Sequence, residues 1–112
     1  MTPREIAVAL AEIAGNKKAL DVKILKIDEL TVLADYFVIC SGTSTTHVGT
    51  LAGEMELQLK QRGVAPNHTE GRESGSWLLL DYGSVVAHIF MPETRAFYGL
   101  ERLWGDAEVV EG

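Results

Sequence analysis

The sequence predicts an α/β fold, a single mixed β-sheet packed with helices. Three observations carry that reading. The chain opens with a helix-start signal, Thr2-Pro3-Arg4-Glu5, followed by an apolar stripe at helical spacing. Asp35-Tyr36-Phe37-Val38-Ile39-Cys40-Ser41 is apolar almost throughout, the pattern of a strand covered on both faces. Trp77 to Met91 holds two apolar runs joined by Gly83-Ser84, a two-residue turn with glycine first. Helices and strands alternate along the chain, so the sheet must carry helices on it.

In the first helix Thr2 caps, Pro3 takes the first helical position, and Glu5 completes a capping box. Ile6, Leu10 and Ile13 form its apolar stripe, alanines at 7, 9, 11 and 14 give it a small face, and Gly15-Asn16 ends it. Leu20 to Asp28 alternates apolar and charged residues for most of its length and reads as a strand at or near an edge, where Lys23 and Lys26 discourage edge pairing. Tyr36 to Ser41 follows as a central strand. A helix then spans about Thr45 to Arg62, with Val48, Leu51, Ala52, Met55 and Leu59 as its buried stripe and Gly63 as C-cap. Residues 64–71 form a loop with a short edge strand. After the hairpin, Pro92 stops the strand and starts a last helix. Phe97, Leu100 and Trp104 fall at helical spacing in it, and Gly105 caps it. Residues 106–112 read as a loose acidic tail. The whole of 1–112 reads as one domain, with no repeat and no linker that would split it.

Composition excludes several function classes. Apolar residues make up 46% and charged residues 23%, ordinary for a globular protein. No apolar run approaches the roughly 20 residues a membrane helix needs. No cationic segment followed by an apolar one begins the chain, so no secretory signal is expected, and the single Cys40 fits a reducing cytoplasm. The net charge of −6 argues against direct nucleic-acid binding and favours a basic protein partner or no charged partner at all; charge alone, which also serves solubility, does not decide between them.

His47, His68 and His88 do not pair at metal-ligand spacing, and no cofactor or metal is expected. Cys40 reads as a small core residue rather than a nucleophile. Asp81 must have a partner, from the loop before it, from Arg72 or from another protein. Ser41 to Thr46, a hydroxyl-rich loop entering a helix, reads as an anion site or as plain capping, with capping favoured. Strand, Ser41-Gly42-Thr43-Ser44, helix resembles the opening of nucleotidyltransferases, which follow it with two acids one residue apart on a strand, holding metals. Here the nearest pair, Glu54 and Glu56, lies in a predicted helix, where residues two apart point in different directions. No enzyme activity is expected.

The hairpin is apolar on both faces. Grouped by number, Trp77, Leu79, Val85, Ala87, Ile89 and Met91 are odd; Leu78, Leu80, Tyr82, Val86 and Phe90 are even. Either both faces are covered by helices, or one is an aromatic protein-binding face.

The same stretch carries a resemblance. W-x-x-x-D-x-G-x-V-V-x-H-x-F from Trp77, then R-x-F-Y-x-L-E-x-L-W from Arg95, is similar to the signature of the ribosomal silencing factor family, also called Iojap. The resemblance includes Ala19 to Val22, Asp35 to Ser44, His47 and Glu70-Gly71, and so covers nearly the whole chain. It implies a nucleotidyltransferase-like fold lacking the catalytic acids. It implies binding to the large ribosomal subunit through ribosomal protein L fourteen, steric block of subunit joining, and lowered translation when nutrients are short. An acidic domain on a basic ribosomal protein is electrostatically sensible. The docking surface is placed on Trp77, Leu78, Tyr82, His88, Phe90 and Tyr98, with Trp77 re-aimed by a twist or bulge because its number has the opposite parity. Two other readings stand beside it: a homodimer through the same sheet face, and a vestigial nucleotide site at Ser41 to Thr46.

Overall fold

The structure, a computed structural model, describes residues 1–110. Among the described residues, four helices and six strands follow the order α1 (Pro3–Asn16), β1 (Leu20–Lys26), β2 (Tyr36–Ser41), α2 (Thr45–Gln61), β3 (His68–Glu70), β4 (Trp77–Asp81), β5 (Val85–Phe90), α3 (Pro92–Tyr98), α4 (Leu100–Leu103) and β6 (Glu108–Val110). The strands form one sheet in the order β3-β4-β5-β2-β1-β6. The sheet is mixed: β2 and β5 run parallel, linked through α2 and the β3–β4 pair, and every other pairing is antiparallel. No helix among the described residues is long and apolar enough to cross a membrane.

The local signals act where the sequence places them. Thr2 Oγ1 accepts from the Glu5 amide at 3.1 Å and Glu5 Oε1 accepts from the Thr2 amide at 2.8 Å, a complete capping box. Such a cap is worth about 1 kcal/mol. Ala7 and Ala14 are fully buried, so the small face of α1 does approach the sheet closely. With α2 it closes one face of the sheet. Ile6, Leu10 and Ile13 from α1 and Val48, Leu51, Met55 and Leu59 from α2 meet Ile24, Val38, Cys40, Leu80, Val85, Ala87 and Ile89. Burial pushes the Cys40 thiol up to about 12, which keeps it an inert core residue.

The other face is closed more thinly. Leu25, Ile27, Ala34, Phe37, Ile39 and Phe90 form a smaller cluster, with Trp77, Val86, Leu100 and Trp104 packed against it. The expected single helix over 92–105 is instead two short pieces. Gly99 breaks it in a left-handed conformation, φ 59° and ψ 42°, as the C-cap of α3. The left-handed φ favours glycine at this position, the usual residue at such a helix end. The break lets Leu100 and Trp104 reach the sheet while Phe97 stays in solvent. The C-cap also falls one residue earlier than the expected Gly105, since α4 ends at Leu103 with Trp104 as its C-cap.

The tail also departs from expectation. Residues 108–110 are not loose but form β6, pairing antiparallel with β1, and Val110 is buried in the larger cluster. β1 therefore has neighbours on both sides. Glu111 and Gly112, the rest of the expected acidic tail, lie outside the described residues.

Candidate functional site

The hairpin register corrects the grouping of its residues by number. A two-residue turn sets Trp77 opposite Phe90, Leu78 opposite Ile89 and Leu79 opposite His88. Partners across the hairpin thus have opposite parity, and Trp77 shares a face with His88 and Phe90 without any bulge. Leu78 and Tyr82 point the other way, into the core under α1 and α2, at 2% and 8% exposure. His88 and Phe90 lie on the thin face but are also buried, at 5% and 0%. Of the six expected docking residues, only Trp77, half-buried, and Tyr98, 55% exposed, reach the surface.

These two are joined. The Trp77 ring lies 4.8 Å, centroid to centroid, from both Phe90 and Tyr98, and Tyr98 meets Phe97 edge to face at 5.1 Å. Phe97 is 79% exposed. The result is an aromatic ramp from the buried sheet through Trp77 to Tyr98 and Phe97 in solvent. Aromatic pairs in such offset or edge geometry gain about 0.5–1.5 kcal/mol beyond area burial.

The ramp is held in place by an arginine that the sequence reading did not single out. Arg95 of α3 donates from Nε to Glu101 at 2.6 Å, from Nη1 to Ser41 Oγ at 3.0 Å, and from Nη2 to the Asp21 carbonyl at 2.8 Å. Its Nη1 also approaches the Leu20 carbonyl at 3.5 Å. The side chain is only 10% exposed, and Lys23 completes the group with an ion pair to Glu101 at 2.8 Å. The β1–β2 register shifts between Leu20 and Lys23, and Asp21 has a φ of 47°, so the irregular start of β1 supplies the carbonyls. One guanidinium thereby ties α3 and α4 to the ends of β1 and β2. Hydrogen bonding from Arg95 holds the Glu101 carboxyl below its usual range. The available signal was the arginine and glutamate of R-x-F-Y-x-L-E. Their shared targets lie more than 50 residues away and have no local signature.

The hydroxyl-rich loop proves to be internally committed. Ser44 Oγ accepts from the His47 amide at 3.0 Å, the plain cap, and Ser41 Oγ is taken by Arg95. The Thr43 amide donates to His47 Nδ1 at 2.9 Å, which leaves Nε2–H to donate to the Lys17 carbonyl at 2.8 Å. His47 thus pins this loop to the end of α1. Glu54 and Glu56 both lie in α2, where Glu54 faces Lys17 and Gln58 and Glu56 pairs with Arg72. Arg72 is therefore not the partner of Asp81, which instead accepts from the Gly83 amide at 2.7 Å and so tightens its own turn. Among the described residues, no group of three or more His, Cys, Asp or Glu side chains is arranged to hold a metal.

Comparison with known proteins agrees with this architecture. The chain superposes on the crystal structure of a Chromobacterium violaceum protein with a TM-score of 0.90 at 36% identity, covering 94% of this chain and 88% of that one. It is 37% identical over 111 residues to the ribosomal silencing factor RsfS of Halalkalibacterium halodurans, covering 99% of this chain and 95% of that protein. It is also 37% identical over 98 residues to the mouse protein named mitochondrial assembly of ribosomal large subunit protein 1, covering 85% of this chain and 43% of that longer protein. Residues 1–112 match the family described as ribosomal silencing factor during starvation. With its mixed six-stranded sheet and a whole-length match of this kind, the chain belongs to the ribosomal silencing factor family.

Proposed function

We propose that this protein represses translation by docking on the large ribosomal subunit through ribosomal protein L fourteen and so blocking access of the small subunit. The reading rests first on family membership, and the name of the mouse relative points to the large subunit. The observation that carries it within the fold is the aromatic ramp of Trp77, Tyr98 and Phe97, an apolar surface left uncovered among the described residues. Trp and Tyr are the usual anchors of protein interfaces. The net charge of −6 suits a basic ribosomal protein and disfavours a direct grip on RNA. On this reading the protein works in the cytoplasm by occlusion, without catalysis or a cofactor. Trp77 and Tyr98 contact the partner, His88 and Phe90 support them from beneath, and Leu78 and Tyr82 anchor the hairpin from the opposite face.

The test is sedimentation with separated ribosomal subunits, small subunits being added afterwards. The protein should travel with large subunits and reduce their rejoining. Trp77→Ala should weaken that association by about 2 kcal/mol or more. Unchanged affinity with a lowered melting temperature would make Trp77 a core residue only. Failure to leave the top of the gradient would reject the docking reading, and a mass that rises with concentration would assign the ramp to a second copy of this chain.

A further inference from the structure

His88 is hard to explain as packing alone. Its ring is buried between Phe37, edge to face at 4.7 Å, and Phe90, stacked at 6.1 Å. The indole Nε1–H of Trp77 donates to His88 Nδ1 at 3.1 Å. An indole nitrogen can only donate, so Nδ1 must hold a lone pair and the proton of the neutral ring sits on Nε2. That Nε2 is fully buried and has no partner among the described residues. A buried donor without an acceptor is destabilising, whereas an apolar residue of similar size would complete the cluster of Phe37, Ile39 and Phe90 without that penalty. The histidine therefore weakens the core at Nε2 while doing one specific thing at Nδ1.

We infer that His88 is a positioning residue, whose Nδ1 accepts the Trp77 indole N–H and fixes which edge of that indole is presented beside Tyr98. This deepens the docking reading and rests on it for the consequence at the ribosome. A Trp ring held only by apolar contacts can turn over about its own side-chain torsions with little change in burial. A hydrogen bond from one edge distinguishes the two orientations, because only one of them brings Nε1 to an acceptor. Burial lowers His88 to about 4, so the ring stays neutral and keeps its acceptor under physiological conditions. The line of contact runs from His88 to Trp77 to Tyr98, from a side chain no partner can touch to one that is exposed. A polar tie of this kind specifies geometry at the expense of some stability.

Nuclear magnetic resonance on the labelled full chain tests the positioning directly, with Trp104→Phe used to assign the two indole signals. In the wild type, His88 Nδ1 should be an unprotonated acceptor and the Trp77 indole proton should exchange slowly. In His88→Leu the melting temperature should hold or rise, while the Trp77 indole proton should exchange about tenfold faster or more. Binding to purified large ribosomal subunits should weaken by a similar factor. His88→Gln, whose amide oxygen can accept, should recover much of both. A protonated Nδ1 in the wild type, or unchanged indole exchange in His88→Leu, overturns the inference whatever the ribosome does. Slow exchange lost on substitution, with wild type and His88→Leu binding subunits equally, removes the functional consequence. If the wild type itself does not bind subunits, the docking reading fails, and the indole measurement alone still decides whether His88 positions Trp77.

Discussion

Replacing Arg95 with methionine is the sharpest test of how the thin face is held. Methionine keeps most of the apolar stem and removes every donor. The loss falls on Glu101, Ser41, Asp21 and Leu20 together. A hydrogen bond to a charged group is worth about 1.5–3 kcal/mol and one between neutral groups about 0.5–1.5 kcal/mol. The Glu101 contact belongs to the first class. The Ser41 and Asp21 contacts carry the arginine charge and lie near the upper end of the second. Ser41 is buried, so its hydroxyl would lose its partner rather than gain water. Glu101 remains able to reach Lys23, which returns part of the loss. At the low end these terms sum to about 4.5 kcal/mol, and recovery of about 1.5 kcal/mol of the partly exposed Glu101 term through Lys23 leaves about 3 kcal/mol; because the ties converge on α3 and α4 the loss should be local. Amide exchange in residues 92–110 should accelerate by about 100-fold. Amides of β2 and of the first turns of α2 should change little. Arg95→Lys, with the charge but not the planar fork, should fall between. Hydrogen exchange resolved by segment reads this directly. Unchanged protection in 92–110, or equal loss across β2 and α2, would refute the idea that one side chain fastens α3 and α4, the strap across this face, to the sheet.

Other substitutions should separate backbone, packing and charge. Gly71 has a φ of 90°, and a Cβ there would sit 1.8 Å from the Trp77 carbonyl oxygen; Gly71→Ala should cost about 2–4 kcal/mol by urea titration. Gly49 and Gly53, in α2 with open space around them, should each gain about 0.5–1 kcal/mol on mutation to alanine. The Tyr82 hydroxyl is buried with no partner among the described residues, so Tyr82→Phe should range from neutral to about 1 kcal/mol stabilising; a loss above that would mean the hydroxyl is bonded. The pH dependence follows from His88, whose pKa falls from 6.5 to about 4 through burial. Between these values the unfolded chain binds a proton that the native one does not. Its contribution is complete above pH 6.5 and is lost as the pH falls towards 4, about 3 kcal/mol in all. Denaturant midpoints at pH 7 and 4.5 should differ more for wild type than for His88→Leu, and equal differences would refute the assignment.

What the sequence made legible was local. Thr2, Pro3 and Glu5 announce α1 because a cap, a fixed φ and a returning carboxylate act within four residues. Gly83 announces the hairpin, and the unbroken apolar run of β2 announces its central place. What stayed hidden depended on partners distant in sequence. Glu108-Val109-Val110 is too short and too acidic to read as a strand, and becomes one because β1 offers it a free edge. Gly99 interrupts a helical period that Phe97, Leu100 and Trp104 otherwise satisfy; the break is required by Trp104 and Leu100 having to meet the sheet. The faces of the hairpin were not legible from residue numbers, because a two-residue turn reverses odd and even between its strands; four of the six expected docking residues are buried. Trp77 and Tyr98 stand out in the sequence because aromatic residues are informative in themselves, whereas Arg95, whose acceptors lie across the fold, does not.

The contrast between the two faces explains why polar ties matter on one of them. α1 and α2 close their face with continuous apolar stripes, and no polar device is needed to set the geometry. On the other face the chain has only the short helices α3 and α4, neither with a buried residue of its own. Apolar packing by so thin a layer is non-directional and would tolerate several arrangements of Trp77, Tyr98 and Trp104. Directional bonds remove that freedom: Arg95 fixes where the strap lies, and the Trp77–His88 hydrogen bond fixes how one ring sits beneath it. A face optimised only for stability would place leucine at 88 and a longer helix above it. A face that must present Trp77, Tyr98 and Phe97 in one arrangement, and still leave them uncovered, has to be held from the side and from below. That is the arrangement of Arg95 and His88, and it makes a specific claim about their variants: losing His88 should cost docking before it costs stability, while losing Arg95 should cost both.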